Sequence, residues 1–491
     1  MNLDFDACYR AVRSRDARFD GRFFTAVTST GVYCRPICPS PPPLAANVRF
    51  YTHAAAAEAA GFRACRRCHP EKAPGSPEWN VRADLTGRAL RLIAEGAADE
   101  EGVGGLAARL GVSARHLHRA LVTEVGVSPL ALARTRRAQT ARLLIDQTDL
   151  PLTTIAGAAG FTSIRQFNET MRAAFGSNPT ELRRRGPVAP GGGGLTLRLP
   201  YRPPFDAATL LSYLARRAVA GVEEVVDGRY RRTIALPHSR GIIALEPLVG
   251  AGVILLRLRL DDLRDLGLVA QRCRQLLDLD ADPAAIDAAL GADAALAPLV
   301  AARPGLRVPG AVDGFELAVR AILGQQVSVA GARTLAGRLV AALGEPLAEP
   351  HGSLTHTFPT PERISRADLG GLGLTGGRIV ALRALARAVS EGGVALDRGA
   401  DWEGTVSRLQ ELPGIGPWTA AYIAMRALGD PDACPVADLG LRRALERRGL
   451  AGDPKNVAAR FEAWRPWRAY ATHHLWASLA PPPSGGYLHE S

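Results

Sequence analysis

Four of the chain's cysteines form two close pairs near the amino end. Cys34 and Cys38 have three residues between them, Cys65 and Cys68 have two, and positions 39–64 separate the pairs. Each short pair can bend around one side of a metal ion, and four thiolates are the ligand set of a tetrahedral zinc site. We therefore expect one Zn²⁺ held by these four cysteines. Such a site can be purely structural, or it can activate one thiolate as a nucleophile.

The sequence around these cysteines resembles the N-terminal domain of the Ada methyl-phosphotriester repair proteins. The similarity runs through positions 31–39, 47–51 and 61–68 and extends over nearly all of residues 1–75. It implies that the first of the four cysteines, Cys34, accepts a methyl group from a methylated DNA phosphate. Zinc would keep this thiolate deprotonated at neutral pH. Methylation would remove one negative charge from the zinc–thiolate centre, so its affinity for DNA should rise.

A second candidate site combines a glycine-containing turn with an aspartate. Gly414 and Gly416 allow the backbone to approach a phosphate and to direct N–H groups towards it, and Pro417 can begin the next helix. A bare Gly-x-Gly pattern is otherwise better explained by packing. Asp438 lies farther along the chain, before a predicted helix. It can cap that helix, act in catalysis, or do both.

Residues 195–480 resemble the AlkA-type 3-methyladenine DNA glycosylases of the helix-hairpin-helix superfamily. The similar segments include positions 199–206, 302–310, 320–328 and 412–420. The resemblance implies that Asp438 is catalytic. It also implies a set of pocket aromatics, which are Trp418, Tyr422 and Trp476. The residues that it implies as DNA contacts are Gln325, Gln326, Gly414, Gly416 and Thr419.

The implied reaction suits these residue types. Cleavage of an N-glycosidic bond builds positive charge on the sugar, which a carboxylate can stabilise while it orients the attacking water. The nucleotide must leave the base stack and enter a pocket, where electron-rich rings can face a cationic alkylated base.

Two positions depart from patterns found among similar glycosylases. Trp418 stands where strand-cleaving members carry a lysine, and the lysines of this chain are Lys72 and Lys455. We therefore expect base removal without strand cleavage, because no nucleophile for a Schiff base is at hand. Gln326 stands where the AlkA family commonly inserts a leucine. A glutamine weakens the argument that an apolar side chain is inserted into the base stack. It can nevertheless fill the gap left by a flipped base and hydrogen-bond the base that remains unpaired on the opposite strand.

Two helix-turn-helix patterns lie between the cysteines and the glycosylase-like region. Positions 106–121 and 152–175 each show a helix, a glycine turn and a second helix that opens at a serine. With a helix between them, around 130–146, they resemble the AraC-type DNA-binding domain. Exposed polar side chains on the second helices are candidates to read base edges. These candidates are Arg165 and Gln166, together with Arg115, His116, His118, Ser163 and Asn168.

These patterns predict a multidomain protein with α+β and mainly α parts. Proline- and glycine-rich segments at 73–77 and 186–194 have the composition of linkers. The predicted domains are a small four-cysteine zinc domain (1–75), a double helix-turn-helix domain (82–186), an α+β domain (195–305) and a helical helix-hairpin-helix glycosylase domain (306–482).

Composition bounds the partners and the location. The 491 residues carry a formal net charge of +12, which suits a polyanion such as DNA, although a general bias towards arginine would give the same balance. No apolar run approaches the roughly 20 residues of a membrane span, and the amino end lacks a signal-peptide core. We expect a bacterial, cytoplasmic, nucleoid-associated monomer. Its expected partners are double-stranded DNA, both alkylated and promoter, and RNA polymerase, with no membrane.

Three functions fit the sequence. The chain can be a repair enzyme fused to a methyl sensor and activator, or a transcription factor that retains a vestigial glycosylase module. It can also be a glycosylase whose inert zinc and helix-turn-helix regions only tether it to DNA. The presence of Asp438, the glycine turn and the aromatic set favours the first. A Pro-Cys-His-Arg motif, typical of a second methyltransferase domain in Ada proteins, does not occur, so direct repair of O6-alkylguanine is not expected.

Overall fold

The structure, a computed structural model, describes residues 3–77, 82, 84–185, 195–248, 250–450 and 452–480. It divides the chain into two compact units. The first comprises Met1–Arg202, Pro237–Ser239 and Asp261–Gln271, and the second comprises Pro203–Leu236, Arg240–Leu260 and Arg272–Ser491. The predicted linker at 186–194 lies outside the described residues.

A small sheet opens the first unit and brings the two cysteine pairs together. Its strands are β1 (Phe24–Val27), β2 (Val32–Cys34), β3 (Val48–Tyr51) and β4 (Arg63–Ala64). Strand β1 pairs antiparallel with β2 and β3, and β2 pairs in parallel with β4. Because Tyr33 is the register partner of Ala64, the residues that follow them, Cys34 and Cys65, lie side by side. Helix α1 (Phe5–Ser14) packs beside this sheet, and its Cys8 shares a small core cluster with Phe23.

The rest of the first unit is mainly helical. Its elements are α2 (Ala54–Ala59), α3 (Leu85–Glu95), α4 (Ala97–Glu100), α5 (Gly102–Arg109), α6 (Ala114–Val125), α7 (Pro129–Gln147), α8 (Leu152–Ala158), α9 (Ile164–Phe175), α10 (Pro179–Arg185) and strand β5 (Leu195–Pro200). The predicted serine caps begin α6 and α9: Ser113 Oγ accepts the His116 N–H at 3.2 Å, and Ser163 Oγ accepts the Gln166 N–H at 3.1 Å. Helices α5–α6 and α8–α9 are the two helix-turn-helix pairs, and α7 joins them.

The second unit begins with helix α11 (Ala207–Arg217) and a meander of antiparallel strands. The strands are β6 (Glu223–Val226), β7 (Arg229–Ala235), β8 (Arg240–Leu248) and β9 (Val253–Leu260), and each pairs with the next. Alternate residues of β9, among them Ile254, Leu256 and Leu258, are buried, as the two-residue period of a strand with one covered face requires. Helix α12 (Leu266–Leu276) follows, and its residues up to Gln271 are counted with the first unit. The second unit continues with α13 (Pro283–Gly291) and α14 (Ala297–Ala302).

A helical assembly completes the second unit. Its helices are α15 (Gly314–Leu323), α16 (Val329–Leu343), α17 (Pro361–Arg366), α18 (Gly376–Ser390), α19 (Trp402–Glu411), α20 (Pro417–Ile423), α21 (Leu439–Glu446), α22 (Pro454–Glu462) and α23 (Arg468–Leu479). A hairpin of β10 (Glu345–His351) and β11 (Leu354–Thr357) follows α16, and a π-helical turn, Ala424–Leu428, follows α20. The most buried helix is α15, in which Ala318, Val319 and Ile322 have no exposed surface.

The glycine turn joins α19 to α20 as the sequence predicts. Gly414 has a φ of +79°, and a Cβ placed there would lie 2.9 Å from the Cβ of Ala381, so both conformation and space require glycine. Gly416 caps α20, which Pro417 begins. The combination of a mixed α+β part with mainly helical parts confirms the predicted fold class. Within the described residues, no helix is both long and apolar enough to cross a membrane.

Candidate functional site

The four predicted cysteines converge on one point in the first unit. The Sγ atoms of Cys34, Cys38, Cys65 and Cys68 all lie within 4.8 Å of one another. Ligands about 2.3 Å from a zinc ion in tetrahedral geometry stand roughly 3.8 Å apart, so the spacing fits one zinc. Cys34, Cys65 and Cys68 are buried, and Cys38 is half-buried. The predicted cofactor, one zinc held by four cysteines, is confirmed.

A buried ion pair lies beside the cysteine cluster. The Arg35 backbone N–H donates to Cys68 Sγ at 3.3 Å, and its guanidinium donates to the Cys68 carbonyl at 3.3 Å. The same guanidinium pairs with Asp20, with Nε 2.8 Å from Oδ1. The thiolate of Cys68 therefore already accepts a hydrogen bond, which lowers its electron density, and the loop that follows Cys34 is fixed in place.

Asp438 stands at the start of α21, where three N–H groups hold its carboxylate. Oδ1 accepts from the Leu441 backbone at 2.9 Å and from Trp476 Nε1 at 2.8 Å, and Oδ2 accepts from Trp418 Nε1 at 2.8 Å. Hydrogen bonds from three N–H groups fix the direction of the carboxylate. The residue thus caps its helix and also presents an oriented negative charge, so the two sequence interpretations are compatible.

The three predicted pocket aromatics lie together beside Asp438. The rings of Trp418 and Tyr422 stack at 5.4 Å and 12°, and those of Tyr422 and Trp476 lie 6.2 Å apart at 48°. The Tyr422 hydroxyl receives a hydrogen bond from Arg426 Nη1 at 2.7 Å and lies 3.2 Å from the hydroxyl of Tyr213. One face of Tyr422 therefore rests on Trp418, and its hydroxyl is anchored in the protein interior.

Two residues of this anchor were not predicted from the sequence. Arg426, in the π-helical turn, is 4% exposed and donates to both tyrosine hydroxyls and to the carbonyls of Pro309 and Gly310. Tyr213 comes from α11, more than two hundred residues earlier. The sequence offered one indication of Arg426, which is an arginine within the otherwise apolar segment Ala424–Leu428. A charged side chain buried in such a segment generally has hydrogen-bonding partners. Nothing local marked Tyr213.

The arginines change the acidity of the two tyrosines. Burial acts to raise the pKa of Tyr422, but the positive charges of Arg426 and Arg217 outweigh it and lower that pKa to about 8. For Tyr213 burial prevails over the same two charges and raises the pKa to about 12. The phenol of Tyr422 is thus the more acidic of the pair.

The predicted DNA-contacting residues of the hairpin form a connected group. Gln325 Nε2 donates to the Gly414 carbonyl at 2.8 Å and to Thr419 Oγ1 at 2.9 Å, which ties the end of α15 to the glycine turn. Gln326 follows in an exposed, left-handed conformation with φ of 55°. Gly416 is exposed at the start of α20, so its turn is open to a phosphate.

The predicted base-reading residues lie on the exposed side of α9. Arg165 is almost fully exposed and pairs with Glu169 at 2.9 Å, and Gln166 is exposed beside it. Surface pairs of this kind are weak, so Arg165 can exchange its partner for DNA. Arg115, His116 and His118 are likewise exposed on α6.

Four protein-family models match successive parts of the chain. They are the metal binding domain of Ada at residues 7–71, a helix-turn-helix domain at 106–185, the AlkA N-terminal domain at 196–313, and the HhH-GPD superfamily base excision DNA repair protein at 319–469. Between them they include the four cysteines of the zinc site, Asp438 and most of the two helix-turn-helix pairs.

Known proteins match the whole chain and its second half. A probable bifunctional transcriptional activator/DNA repair enzyme AlkA of Mycobacterium tuberculosis is 52% identical over 487 residues, which are 98% of each protein. DNA-3-methyladenine glycosylase 2 of Escherichia coli is 38% identical over 285 residues, 57% of this chain and 95% of that protein. The solved 3-methyladenine DNA-glycosylase of Archaeoglobus fulgidus covers 57% of this chain with a TM-score of 0.50 and 23% identity, a likeness of fold alone.

Proposed function

This chain belongs to the family of bifunctional transcriptional activator/DNA repair AlkA enzymes, and we propose on that basis that it excises alkylated bases from DNA and regulates transcription in response to DNA methylation. The excised bases are of the 3-methyladenine and 7-methylguanine type. The observation that carries the proposal is Asp438, whose carboxylate is held by Trp418 and Trp476 among the pocket aromatics.

Excision follows from the arrangement of this pocket. The hairpin at Gly414 and Gly416 holds the DNA backbone without reading its sequence, and the damaged nucleotide turns out of the stack towards the aromatic rings. An alkylated purine is a good leaving group because it already carries positive charge. Asp438 stabilises the positive charge that develops on the sugar and orients the water that attacks it.

We further propose that the reaction ends at base removal. Trp418 lies beside Asp438, to which its indole N–H donates a hydrogen bond. It occupies the position at which strand-cleaving glycosylases carry the lysine that attacks the sugar. The product would then be an intact strand with an abasic site.

The first unit supplies the proposed sensor. A zinc ion held by the four cysteines would keep the thiol of Cys34 deprotonated. The Cys34 thiolate then attacks the methyl carbon of a methylated phosphate, and the S–C bond forms as the C–O bond to the phosphate breaks. The phosphate leaves with the electron pair and regains its negative charge. The resulting thioether is not readily reversed, so the transfer occurs once per chain. Loss of one thiolate charge then favours binding to promoter DNA through the exposed faces of α6 and α9.

The proposed regulatory role implies a further partner and a location in the cell. An activator bound at a promoter requires RNA polymerase as a partner, and DNA binding by both units would hold the protein at the bacterial nucleoid. We propose that it works as a monomer, with the domain boundaries 1–75, 82–186, 195–305 and 306–482.

Replacement of Asp438 by asparagine tests the central proposal. Asn is as good a helix cap as Asp, so Asp438→Asn should leave the fold intact and remove the charge. Release of free 3-methyladenine from methylated DNA should fall by about 100-fold or more. Asp453→Asn is the matched control, because Asp453 caps α22 in the same way, accepting the Asn456 N–H at 3.1 Å.

The same assay, combined with mass spectrometry of Cys34 after exposure to methylated DNA, separates the three candidate functions. A transcription factor with a vestigial glycosylase module would release no base even as wild type. Full release by Asp438→Asn would contradict the proposed mechanism. A glycosylase with an inert, structural zinc would release bases and yet leave Cys34 unmethylated.

A further inference from the structure

Arg426 is a buried charge that has no ion pair with an aspartate or a glutamate among the described residues. Its guanidinium is surrounded instead by oxygens that are neutral while both phenols keep their protons. These are the hydroxyls of Tyr422 and Tyr213 and the carbonyls of Pro309 and Gly310. A charge taken out of water is costly unless an opposite charge accompanies it. The nearest group that can supply one is a phenol.

Tyr422 joins this buried arginine to the base pocket. Arg426 Nη1 lies 2.7 Å from the Tyr422 hydroxyl, and the guanidinium carbon lies 5.5 Å from the centre of the Tyr422 ring. The hydroxyl thus faces the protein interior, while the half-buried ring stacks on Trp418 at the pocket. Hydrogen bonds donated to an ionised group favour that form. Loss of the phenol proton would therefore place a negative charge against Arg426 and at the wall of the pocket.

The surrounding charges decide which of the two phenols ionises first. Burial acts to raise the pKa of Tyr422, but the positive charges of Arg426 and Arg217 and the hydrogen bond with Tyr213 lower it to about 8. For Tyr213 burial prevails and raises the pKa to about 12. Tyr422 is therefore the phenol that can act as the counterion of Arg426.

The other ionisable groups near this phenol are engaged or neutral. Arg320 of α15 adds positive charge but pairs with Glu223 and Glu316, each at 2.9 Å. The imidazole of His473 on α23 stays uncharged, because burial lowers its pKa well below the ordinary value. Both oxygens of Asp438 accept tryptophan N–H groups. The positive charge that acts on the phenol is therefore mainly that of the two arginines named above.

The protonation state of Tyr422 changes how the pocket receives a cationic base. With a neutral phenol, the buried charge of Arg426 repels the positive charge of an N-alkylated purine. Once the proton has left to solvent, the arginine and the phenolate cancel, and the phenolate ring is a better partner for a cation. Binding of a cationic base and release of this proton therefore favour each other.

We propose that Arg426 is a positioning residue for base selection: it holds Tyr422 as its counterion, and the Arg426–phenolate pair favours a cationic N-alkylated purine in the pocket. This inference rests on the proposed glycosylase function and adds a source of selectivity to it. Because the pair forms only when Tyr422 is ionised, excision of a cationic base should become faster as the pH rises through the titration of this phenol.

An ultraviolet titration of the DNA-free protein tests the pair without any enzymatic activity. Tyrosinate absorbs at longer wavelength than tyrosine, and the difference between wild type and Tyr422→Phe isolates one of the chain's nine tyrosines. This phenol should titrate with a midpoint near pH 8. In Arg426→Gln, measured against Arg426→Gln combined with Tyr422→Phe, the midpoint should rise by about one pH unit or more. A wild-type midpoint at the ordinary value of tyrosine, about 10, would overturn the inference.

The rate of base release tests the consequence of the pair. Single-turnover release of 3-methyladenine, after subtraction of the protein-free rate at each pH, should rise about fivefold between about pH 7 and pH 9 as one repelling charge is cancelled. Tyr422→Phe keeps the ring but has no proton to lose, so its profile should stay flat over this range.

Tyr213→Phe is the matched control, because it removes the other hydroxyl bound by Arg426 and leaves the Arg426–Tyr422 pair. The rise should persist in this variant, displaced to higher pH by less than about one unit, since the hydrogen bond from Tyr213 helps to ionise Tyr422. A flat wild-type profile, or an equal rise in Tyr422→Phe, would overturn the inference. Failure of the wild type to release the base at every pH would instead refute the glycosylase function, and the ultraviolet midpoint would still report on the pair.

Discussion

At the scale of single residues, Trp418 and Trp476 each perform two functions in the pocket. Their rings form its aromatic wall, and their indole N–H groups hold the two oxygens of Asp438 at 2.8 Å. Stacking alone would be served equally well by phenylalanine. In the proposed mechanism, tryptophan at these positions fixes the carboxylate in one orientation before the sugar becomes positive.

Trp476→Phe separates these two functions. The variant keeps an aromatic face and loses one hydrogen bond to a charged group, which is worth about 1.5–3 kcal/mol. We expect the single-turnover rate of 3-methyladenine release to fall by about 10- to 100-fold.

The matched control for that variant is Trp464→Phe. Trp464 is 3% exposed and its Nε1 makes no hydrogen bond to the described part of the chain, so the same substitution removes no bond. Its rate of base release should stay within about twofold of wild type. Equal rates for Trp476→Phe and wild type would show that the second indole N–H does not contribute to excision.

The sequence could place some of these residues and not others. Asp438, Trp418 and Tyr422 lie within 25 positions of one another and next to a recognisable glycine turn, so a local motif identifies them. Tyr213 and His473 are more than 250 positions apart, and their rings meet at 5.4 Å. Such a contact depends on how α11 packs against the helical assembly, which no local pattern records. The hydrogen bonds of the tryptophans to Asp438 were missed for the same reason.

At the scale of secondary-structure elements, α2 links the cysteine cluster to the helix-turn-helix region. Glu58 on α2 accepts a hydrogen bond from the Tyr33 hydroxyl at 2.8 Å and another from Thr135 Oγ1 at 2.5 Å. Tyr33 is the residue before Cys34 on β2, and Thr135 belongs to α7. A second link joins Arg66 Nη2 to the hydroxyl of Ser177 at 3.0 Å, directly after α9.

Thr135→Val should loosen the first of these links. The substitution keeps the shape of the side chain and leaves one oxygen of Glu58 without its donor, at a cost of about 1 kcal/mol. Amide hydrogen exchange in α2 and α7 should then become about fivefold faster if these helices open together. Thr140→Val on the same helix is the control, because its hydroxyl makes no hydrogen bond to a described residue. Equal exchange in the two variants would show that Glu58 does not join the elements.

Helix limits were predictable where a chemical signal marks them. Ser113 and Ser163 precede α6 and α9, and the side chain of each accepts a backbone N–H that the first turn leaves unpaired. Pro417 begins α20, where it has no N–H to be paired. The π-helical turn Ala424–Leu428 carries no such signal, since its residues are ordinary helix formers.

At the scale of the whole molecule, the two proposed chemistries use separate sets of residues. The zinc ligands Cys34 to Cys68 belong to the first compact unit, and Asp438 with its aromatics belongs to the second. No residue named in one site takes part in the other. The net charge of +12 suits both, since each has DNA as its partner. Base excision and methyl transfer should therefore be separable in the intact chain.

Removal of zinc from the full-length protein tests this separation. Without the metal the thiol of Cys34 is mostly protonated near pH 7 and loses its nucleophilic form. After treatment with a chelator and exposure to methylated DNA, mass spectrometry should find no methyl group on Cys34, whereas the zinc-loaded chain should carry one there and none on the fully buried Cys273. Release of 3-methyladenine by the same chelated sample should stay within about twofold of the untreated rate, because no step at Asp438 uses the metal. Restored zinc should restore methyl transfer, since the cysteines are unchanged. A parallel loss of both activities would mean that the fold of the first unit supports excision in the second, and a methyl group on zinc-free Cys34 would remove the metal from the proposed transfer.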